Sequence, residues 1–324
     1  MRSADAIVVG GGPGGSTAAW QLVRAGLDVL VLDRAAFPRL KLCAGWVTPE
    51  AMADLELAPG DYPHGLLTFD RLRLHWKILA AAPATRQHSI RRYEFDAFLL
   101  ERSGAEVVQH NVRSVSRDGD DFVLDDAFRC RYLVGAGGTA CPVYRALFSD
   151  RHHRHGGLQT ATLEQEFAYE WQDPDCHLWF FDDGLPGYAW YVPKARGWVN
   201  VGLGGMAEQL KVRGGHLRQH WQAFVARLRD QGLVRYDDYA PKGYSYYIRG
   251  DVRGIRDGNA FLVGDAAGLA TRDLCEGIGP AVQSGLRAAR AIVEDADYDL
   301  EDVPPLSGGG FASRLLEKRF TASA

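Results

Sequence analysis

"DAIVVGGGPGGSTAAWQLVRAGLDVLVLDR", residues 5–34, combines two apolar runs with a cluster of glycines between them. The run "AIVV" predicts a buried strand, "STAAWQLVRAG" a helix that ends near Gly26, and "DVLVLD" a second buried strand. A strand, a glycine-rich turn, a helix and a second strand form the unit from which Rossmann-like domains are built. The stretch therefore predicts an α/β fold.

The glycines of this stretch have the spacing G-x-G-x-x-G. Gly10 permits the tight turn from strand to helix, Gly12 lets the backbone approach a pyrophosphate, and Gly15 lets the helix pack closely on the strand. The free amides at the helix N-terminus favour phosphate. Asp33 ends the second strand, where its carboxylate can accept hydrogen bonds from ribose hydroxyls. FAD and NAD both fit this segment. The predicted dinucleotide contacts are Gly10, Gly12, Pro13, Gly14, Gly15, Asp33 and Arg34.

"GNAFLVGDAAGLATRDLCEGIGPAVQSGLRAARAIVEDA", residues 258–296, predicts a strand, a second glycine-rich turn and a helix from about Pro280 to Ala296. It resembles the second flavin motif of the p-hydroxybenzoate hydroxylase-like FAD proteins. The resemblance implies that Asp265, which follows Gly264, approaches the ribitol and the pyrophosphate. It also places the backbone of Gly277, Ile278 and Gly279 at the pyrimidine side of the flavin, where a helix N-terminus stabilises the reduced anion. Dinucleotide-type turns at both ends of the chain favour FAD.

Three further segments are similar to the geranylgeranyl reductase family. "KLCAGWVTPEA" (41–51) looks like its C-G-G segment, with alanine where the second residue is usually glycine. "GYAWYVPKARGWVNVGLGG" (187–205) is similar to its Y-x-W-x-F-P segment and V-G-x-G strand, and "RRYEFDAFLLERSGAEV" (91–107) to its arginine-then-F-D helix. The resemblance implies flavin contacts at Cys43, Ala44 and Arg92. It implies substrate contacts at Tyr188 and Trp190.

The sequence departs from the family pattern in two places. In "YLVGAGGTACPVYR" (132–145), Gly137 stands in the flavin-side position where the family has aspartate. Because that aspartate is tied to FAD and NAD(P)H handling in the hydroxylase branch, the electron source stays open. NAD(P)H, a ferredoxin-like protein and a separate reductase all remain candidates, since the chain has no second G-x-G-x-x-G unit. In "ATRDLCEG", Arg272, Asp273 and Cys275 stand where the reductases usually have a proline and a glycine. The resemblance implies that Cys275 approaches the flavin ring and the substrate pocket.

The middle of the chain predicts a second domain. "FDRLRLHW", "TATLEQEFAYEW", "YAWYVP" and "GWVNVGLG" alternate as strands of an antiparallel sheet, and "HLRQHWQAFVARLRD" is an amphipathic helix. The aromatic side chains of these strands predict an apolar pocket wall, although ordinary strand packing also explains them individually. We therefore predict an FAD-binding domain from 1–64, 90–150 and 250–324, interleaved with a substrate domain from 65–89 and 151–249.

Composition excludes several classes. A net charge of −4 argues against a nucleic-acid binder. No apolar run approaches the length of a membrane span, and no signal pattern precedes the first strand, so we expect a cytoplasmic protein that is compatible with peripheral membrane contact. Five widely spaced cysteines without a CxxC pair fit a reducing compartment.

Three histidines in "RHHRH" (151–155) invite a metal interpretation, but the two arginines favour a solvated loop, and we predict no metal site.

The predicted protein is an FAD-dependent enzyme that reduces a carbon–carbon double bond of a hydrophobic, isoprenoid-like substrate. A flavin monooxygenase and a non-catalytic electron carrier remain as alternatives. The flavin halogenase segment W-x-W-x-I-P is missing from the sequence, which disfavours that branch. Cys43 is the candidate catalytic residue, because a thiol beside the flavin could donate a proton to the alkene. A redox pair of Cys43 with Cys275 is a further hypothesis.

Overall fold

The computed structural model describes residues 1–77, 79–308 and 311–321. They form two compact units, each assembled from separate segments. The first unit comprises residues 1–39, 93–155 and 246–317; the second comprises residues 40–92, 156–245 and 318 onward. Residues 40–64, which the sequence assigns to the FAD-binding segments, lie in the second unit. The predicted segments 65–89 and 250–324 include residues 78, 309, 310 and 322–324, which lie outside the described residues.

The elements are numbered in chain order. The strands are β1 (Arg2–Val9), β2 (Val29–Asp33), β3 (Trp46–Val47), β4 (Leu67–Trp76), β5 (Leu79–Ala81), β6 (Ala84–Ser89), β7 (Glu106–Gln109), β8 (Val115–Asp118), β9 (Asp121–Leu124), β10 (Phe128–Gly135), β11 (Gln159–Ala168), β12 (Cys176–Phe180), β13 (Gly187–Lys194), β14 (Trp198–Met206), β15 (Lys242–Tyr247), β16 (Arg256–Asp257) and β17 (Ala260–Leu262). The α-helices are α1 (Pro13–Arg24), α2 (Pro49–Asp54), α3 (Arg92–Arg102), α4 (Ala207–Val212), α5 (Leu217–Asp230), α6 (Ile278–Val293) and α7 (Phe311–Thr321).

A mainly parallel sheet organises the first unit. Its strand order is β16-β17-β10-β1-β2-β7, and β8 and β9 form a hairpin attached to β10. All five residues of β2 are buried, as expected of a parallel strand with both faces covered. The fold class predicted from the two glycine-rich turns is therefore confirmed, with a Rossmann-like strand-turn-helix unit at β1-α1-β2.

Helices α1 and α6 pack against each other in the first unit. A Cβ atom on Gly285 of α6 would overlap the Gly14 carbonyl oxygen of α1, so the two backbones approach too closely for any side chain there. Helix α6 begins at Ile278, two residues before the predicted Pro280. Proline fits within the first turn of a helix because the amides of that turn have no intrahelical acceptor.

An antiparallel sheet organises the second unit, as predicted. The order is β15-β11-β14-β13-β12-β4-β6-β3, with β5 paired to β4 and a parallel step only between β12 and β4 among the pairings described. Central strands β11, β14 and β13 pair along their whole length, so side chains on each face form cross-strand rows.

The two faces of β11, β14 and β13 differ in composition. We call the face that packs on α5 the helix face; it contributes Leu163, Val201 and Leu203 to a buried cluster with Trp221 and Phe224 of α5. We call the other the glycine face. Its residues are Thr162, Glu164, Glu166, Tyr188, Trp190, Asn200, Gly202 and Gly204, which alternate with the helix-face residues along the same strands.

The segment 151–155 differs from the solvated loop predicted for it. His152 is buried, and its ring nitrogens hydrogen-bond the carbonyl oxygens of Arg253 and Ala267, each at 3.0 Å. Arg154 stacks on Tyr144 and donates to the Thr139 carbonyl. Over the described residues, no group of three or more histidine, cysteine, aspartate or glutamate side chains is arranged to hold a metal ion, and no helix combines the length and apolarity of a bilayer span.

Candidate active site

The turn between β1 and α1 has the stereochemistry of a dinucleotide-binding turn. Gly10 has a φ of +112°, and a Cβ there would overlap the Ala136 carbonyl oxygen. A Cβ on Gly15 would overlap the carbonyl oxygen of Gly10. A Cβ on Gly12 would instead meet only the Arg39 guanidinium, at 3.7 Å, and Gly12 caps α1 without a side-chain acceptor. The turn thus leaves open space at the position that approaches a pyrophosphate.

Asp33 is held beside this turn at the end of β2. Its Oδ2 accepts a hydrogen bond from the Gly11 amide at 2.8 Å, and its Oδ1 accepts one from the Ala35 amide at 2.9 Å. These bonds fix the carboxylate and leave lone pairs for further donors, such as ribose hydroxyls. The open turn and the fixed carboxylate fit the adenosine and pyrophosphate parts of FAD.

Arg39 is a candidate site residue that the sequence did not single out. It lies near the turn in addition to the predicted Arg34, which is exposed. Arg39 lies over the Phe37 ring, with Nη1 3.4 Å from Asp96 Oδ2 and Nε 3.9 Å from Asp33 Oδ2. It brings a positive charge next to the open turn, where it complements phosphate. In the sequence, Arg39 is marked only by its position six residues after the second strand. Arginines at such positions are too common for this to identify a binding residue.

The second predicted motif lies in the same unit. A Cβ on Gly277 would lie 3.5 Å from Asp265 Oδ1, which places that carboxylate beside the start of α6. The neighbouring Glu276 accepts a hydrogen bond from the Gly279 amide at 2.8 Å. Removal from water raises the pKa of Glu276 to about 7, against the opposing effect of the Gly279 and Ile278 amides. Of the backbone amides that the resemblance assigns to the flavin, those of Ile278 and Gly279 are therefore engaged by this carboxyl group.

The structure defines the surroundings of two departures from the family pattern. A Cβ on Gly137 would lie 3.1 Å from Cys141 Cα and 3.2 Å from Pro142 Cδ, so the family's aspartate would fit there only if these neighbours moved by a few tenths of an ångström. Cys275 has a φ of +56°, and removal from water raises its thiol pKa to about 12. All five cysteines are free thiols; Cys275 belongs to the first unit, whereas Cys43 belongs to the second.

In the second unit, Asn200 connects two of the predicted site residues. Trp190 Nε1 donates to Asn200 Oδ1 at 2.7 Å, and Asn200 Nδ2 donates to the Cys43 carbonyl oxygen at 3.3 Å. Tyr188 lies on the same face, 5.8 Å from Trp190 between ring centroids. The Cys43 thiol is half-buried and accepts a hydrogen bond from the Gly45 amide at 3.3 Å. The predicted Arg92 is buried at the start of α3.

The glycine face also contains charged groups that the sequence did not identify. Glu164 is 2% exposed and hydrogen-bonds Asn200; burial raises its pKa to about 8, and the charges of Lys41 and Lys194 oppose that shift. Lys194 is fully buried, which lowers its pKa. At neutral pH this face therefore presents a protonated carboxyl group close to a buried amine.

Comparisons with known proteins agree with this geometry. A model of the NAD(P)-binding Rossmann-like domain family matches residues 8–54. The menaquinone reductase of Mycobacterium tuberculosis (strain ATCC 25618 / H37Rv) is 30% identical over 322 residues, covering 90% of this chain and 76% of that protein. Digeranylgeranylglycerophospholipid reductase 1 of Methanopyrus kandleri is 29% identical over 223 residues, covering 62% of this chain and 57% of that protein. A solved geranylgeranyl bacteriochlorophyll reductase-like protein from Thermoplasma acidophilum has a TM-score of 0.75 at 20% identity, covers 99% of this chain and 83% of that one, and shows the fold alone.

The open dinucleotide turn, the fixed Asp33 and the antiparallel sheet define an FAD-dependent oxidoreductase with the p-hydroxybenzoate hydroxylase-like fold. Within that class, the similarity to the mycobacterial menaquinone reductase, which extends over 90% of this chain, identifies a narrower family. The chain belongs to the geranylgeranyl reductase family of flavin-dependent reductases.

Proposed function

We propose that the protein reduces a carbon–carbon double bond of a hydrophobic, isoprenoid-like substrate. The names of the relatives, menaquinone reductase and digeranylgeranylglycerophospholipid reductase, support a lipid substrate of this kind. The structural observation that carries the proposal is the glycine face. A Cβ on Gly202 would overlap the buried Trp190 indole, so the ring lies flat against the strand, and the partly exposed Tyr188 ring lies 5.8 Å from it between centroids. A flat aromatic surface suits an extended apolar chain.

The first unit binds the cofactor in this proposal. Reduced FAD bound there would supply a hydride to one alkene carbon. The open turn at Gly12 and the N-terminus of α1 bind the pyrophosphate, the Asp33 carboxylate accepts from the ribose, and Arg39 adds a positive charge. Substituting Gly12 by valine should abolish retention of FAD without unfolding the turn, whereas Gly15→Ala should disrupt the turn itself.

Cys43 is the proposed proton donor for the second alkene carbon. The Gly45 amide directs the thiol, and Asn200 fixes the backbone of the same residue. Removing a general acid typically slows a reaction by about 10²–10⁴-fold. Cys43→Ala should therefore slow reoxidation of the reduced flavin by alkene, while its bleaching by dithionite is retained. Equal reoxidation rates in the variant and the wild type would assign the proton to another group.

The electron donor is tested in the same experiment. Purified, FAD-loaded protein is mixed anaerobically with NADH, NADPH or dithionite, and flavin bleaching is followed by absorbance. Geranylgeranyl diphosphate, menaquinone or oxygen is then added. The proposal requires reoxidation by an isoprenoid alkene under anaerobic conditions. Bleaching by dithionite but by neither nicotinamide would indicate a separate reductase or a ferredoxin-like partner.

The alternatives give different outcomes. Reoxidation by oxygen alone, with a hydroxylated product, identifies a monooxygenase. A flavin that is reduced and reoxidised only by electron-transfer dyes identifies a carrier. Purified protein that retains no flavin contradicts all three functions.

A further inference from the structure

Lys194, at the end of β13, is a charged side chain without exposed surface. Its Nζ donates to the carbonyl oxygens of Ala44 and Ile90, both at 2.6 Å, and lies 3.6 Å from Glu166 Oε2. Taking an ammonium group out of water costs several kcal/mol unless its donors are used. The Lys194 ammonium donates to two backbone carbonyl oxygens and lies near a carboxylate that balances its charge. One of the two carbonyls is that of Ala44, the residue after Cys43.

The segment 43–45 is anchored at every residue. The Cys43 carbonyl accepts from Asn200, the Ala44 carbonyl accepts from Lys194, and the Gly45 carbonyl accepts from the Ile90 amide at 2.8 Å. The Gly45 amide donates to the Cys43 thiol. Each carbonyl of this segment therefore has a donor within the protein, although the segment has no regular secondary structure.

Gly45 shows how closely this segment approaches Lys194. Its φ is +73°, and a Cβ there would overlap both the Ile90 carbonyl oxygen and Lys194 Nζ. The amine occupies the space that a side chain at residue 45 would need. The positive φ and the close Ile90 carbonyl therefore require glycine at residue 45 for this conformation.

The anchor is itself fixed from the other side. Arg91 Nε donates to Glu166 Oε1 at 2.9 Å, and the Arg91 guanidinium lies 3.4 Å above the centre of the Trp198 ring. Glu166 thus connects Lys194 to the strand β11 and to a stacked arginine. Trp190 fixes Asn200 in the same way through its indole N–H. Both anchors are side chains whose orientation is determined by neighbouring strands.

We propose that Lys194 and Asn200 are positioning residues, which hold the Cys43 thiol in one place at the edge of the glycine face. They act through the backbone of residues 43 and 44. Their importance for the reaction rests on the proposed function, but the anchoring does not. A displacement of a reacting group by about 1 Å can cost about 10²-fold in rate, so a loose segment would slow the proton step without weakening substrate binding.

Lys194→Met tests the anchoring, because methionine has similar length and no donor. FAD-loaded wild-type and variant proteins are treated with N-ethylmaleimide, and alkylation of Cys43 is followed by peptide mass spectrometry. We expect Cys43 to react about tenfold faster in the variant, since the segment opens more often. Asn200→Leu, which keeps a similarly branched side chain but removes the hydrogen bonds to Trp190, Cys43 and Glu164, should act in the same direction and replaces Lys194→Met if that variant does not fold.

Leu228→Ala is the matched control. Leu228 is fully buried in α5 on the helix face of the same unit, so its truncation destabilises the unit without touching the segment. We expect Cys43 in this variant to react at the wild-type rate. An equal acceleration in Leu228→Ala would show that the thiol reports general stability, and an unchanged rate in both Lys194→Met and Asn200→Leu would overturn the proposal.

The reaction gives a second measurement. With geranylgeranyl diphosphate as the probe, Lys194→Met should lower kcat about 10²-fold and leave KM nearly unchanged. An unchanged kcat would contradict a positioning role. If the reduced wild-type protein is not reoxidised by this probe or by menaquinone, the proposed function fails, whereas the alkylation result still decides the anchoring because it needs no substrate.

Discussion

The helix face and the glycine face belong to the same three strands but differ in what they bury. Leu163, Val201 and Leu203 pack with α5 in an apolar cluster. One residue away along each strand, the glycine face buries Glu164 and Asn200, which are costly to remove from water unless they are paired. Folding alone requires only the first arrangement. The difference indicates that alternate residues of one strand set serve stability on one side and chemistry on the other.

Trp221→Ala should give the largest effect on stability. Trp221 is 3% exposed and packs with Phe224 on the helix face. Truncating a buried aromatic residue costs about 3–5 kcal/mol, which should lower the urea midpoint of the second unit. The native variant should keep the wild-type alkylation rate of Cys43. A change in that rate under native conditions would mean that the two faces are not independent.

Glu164→Gln should stabilise the protein at alkaline pH. The folded-state pKa of Glu164 is raised to about 8 from 4.5, so its favourable contribution is complete below 4.5 and is lost as the pH rises to about 8. Glutamine does not titrate. The stability of the variant relative to the wild type should therefore increase across this window, by about 1.4 kcal/mol for each pH unit.

Glu166→Gln is the control for that measurement. Glu166 is paired with Arg91 and Lys194, so neutralising it should destabilise the protein rather than stabilise it. A difference between Glu164→Gln and the wild type that stays constant from pH 5 to pH 8 would contradict a buried, protonated Glu164.

Gly202→Ala should cost about 2 kcal/mol, because the added methyl group overlaps the Trp190 indole and lies 2.7 Å from Glu164 Cβ. Gly60→Ala is the matched control in the same unit, since nothing lies within 4 Å of its added Cβ. Thermal unfolding should separate the two variants clearly. If both melt with the wild type, the indole does not lie flat on the strand.

The smallest difference is expected between two tryptophans on opposite faces. The Trp190 indole N–H is bonded to Asn200, whereas the buried Trp179 N–H on the helix face has no hydrogen-bond partner among the described residues. Trp190→Phe should cost about 1 kcal/mol more than Trp179→Phe, because it leaves a buried amide oxygen unpaired. Equal losses of stability in the two variants would show that the hydrogen bond between Trp190 and Asn200 does not contribute to stability.

Much of the fold could be predicted because its signals are local. The glycine spacing near residue 10 encodes the turn and the helix after it, and the alternation in "GWVNVGLG" encodes a strand with two distinct faces. The start of α6 was misplaced by two residues because proline fits several positions in a first turn.

The residues that the sequence did not identify depend on contacts across long separations. Lys194 reads as an ordinary surface lysine after a strand, and only the approach of residue 44, 150 positions earlier, shows that it is buried. Glu164 and Asn200 meet because β11 and β14 pair in one register, which no local pattern specifies. Arg39 is likewise recognised only by its distance from Gly12.

The most direct test of the central claim is the mass of the product of a single anaerobic turnover. The dithionite-reduced, FAD-loaded protein is mixed with geranylgeranyl diphosphate, and the organic product is analysed by mass spectrometry. The account predicts a product that has gained two hydrogen atoms per oxidised flavin and no oxygen. Unchanged substrate under these conditions, together with a product that gains an oxygen atom once air is admitted, would contradict it.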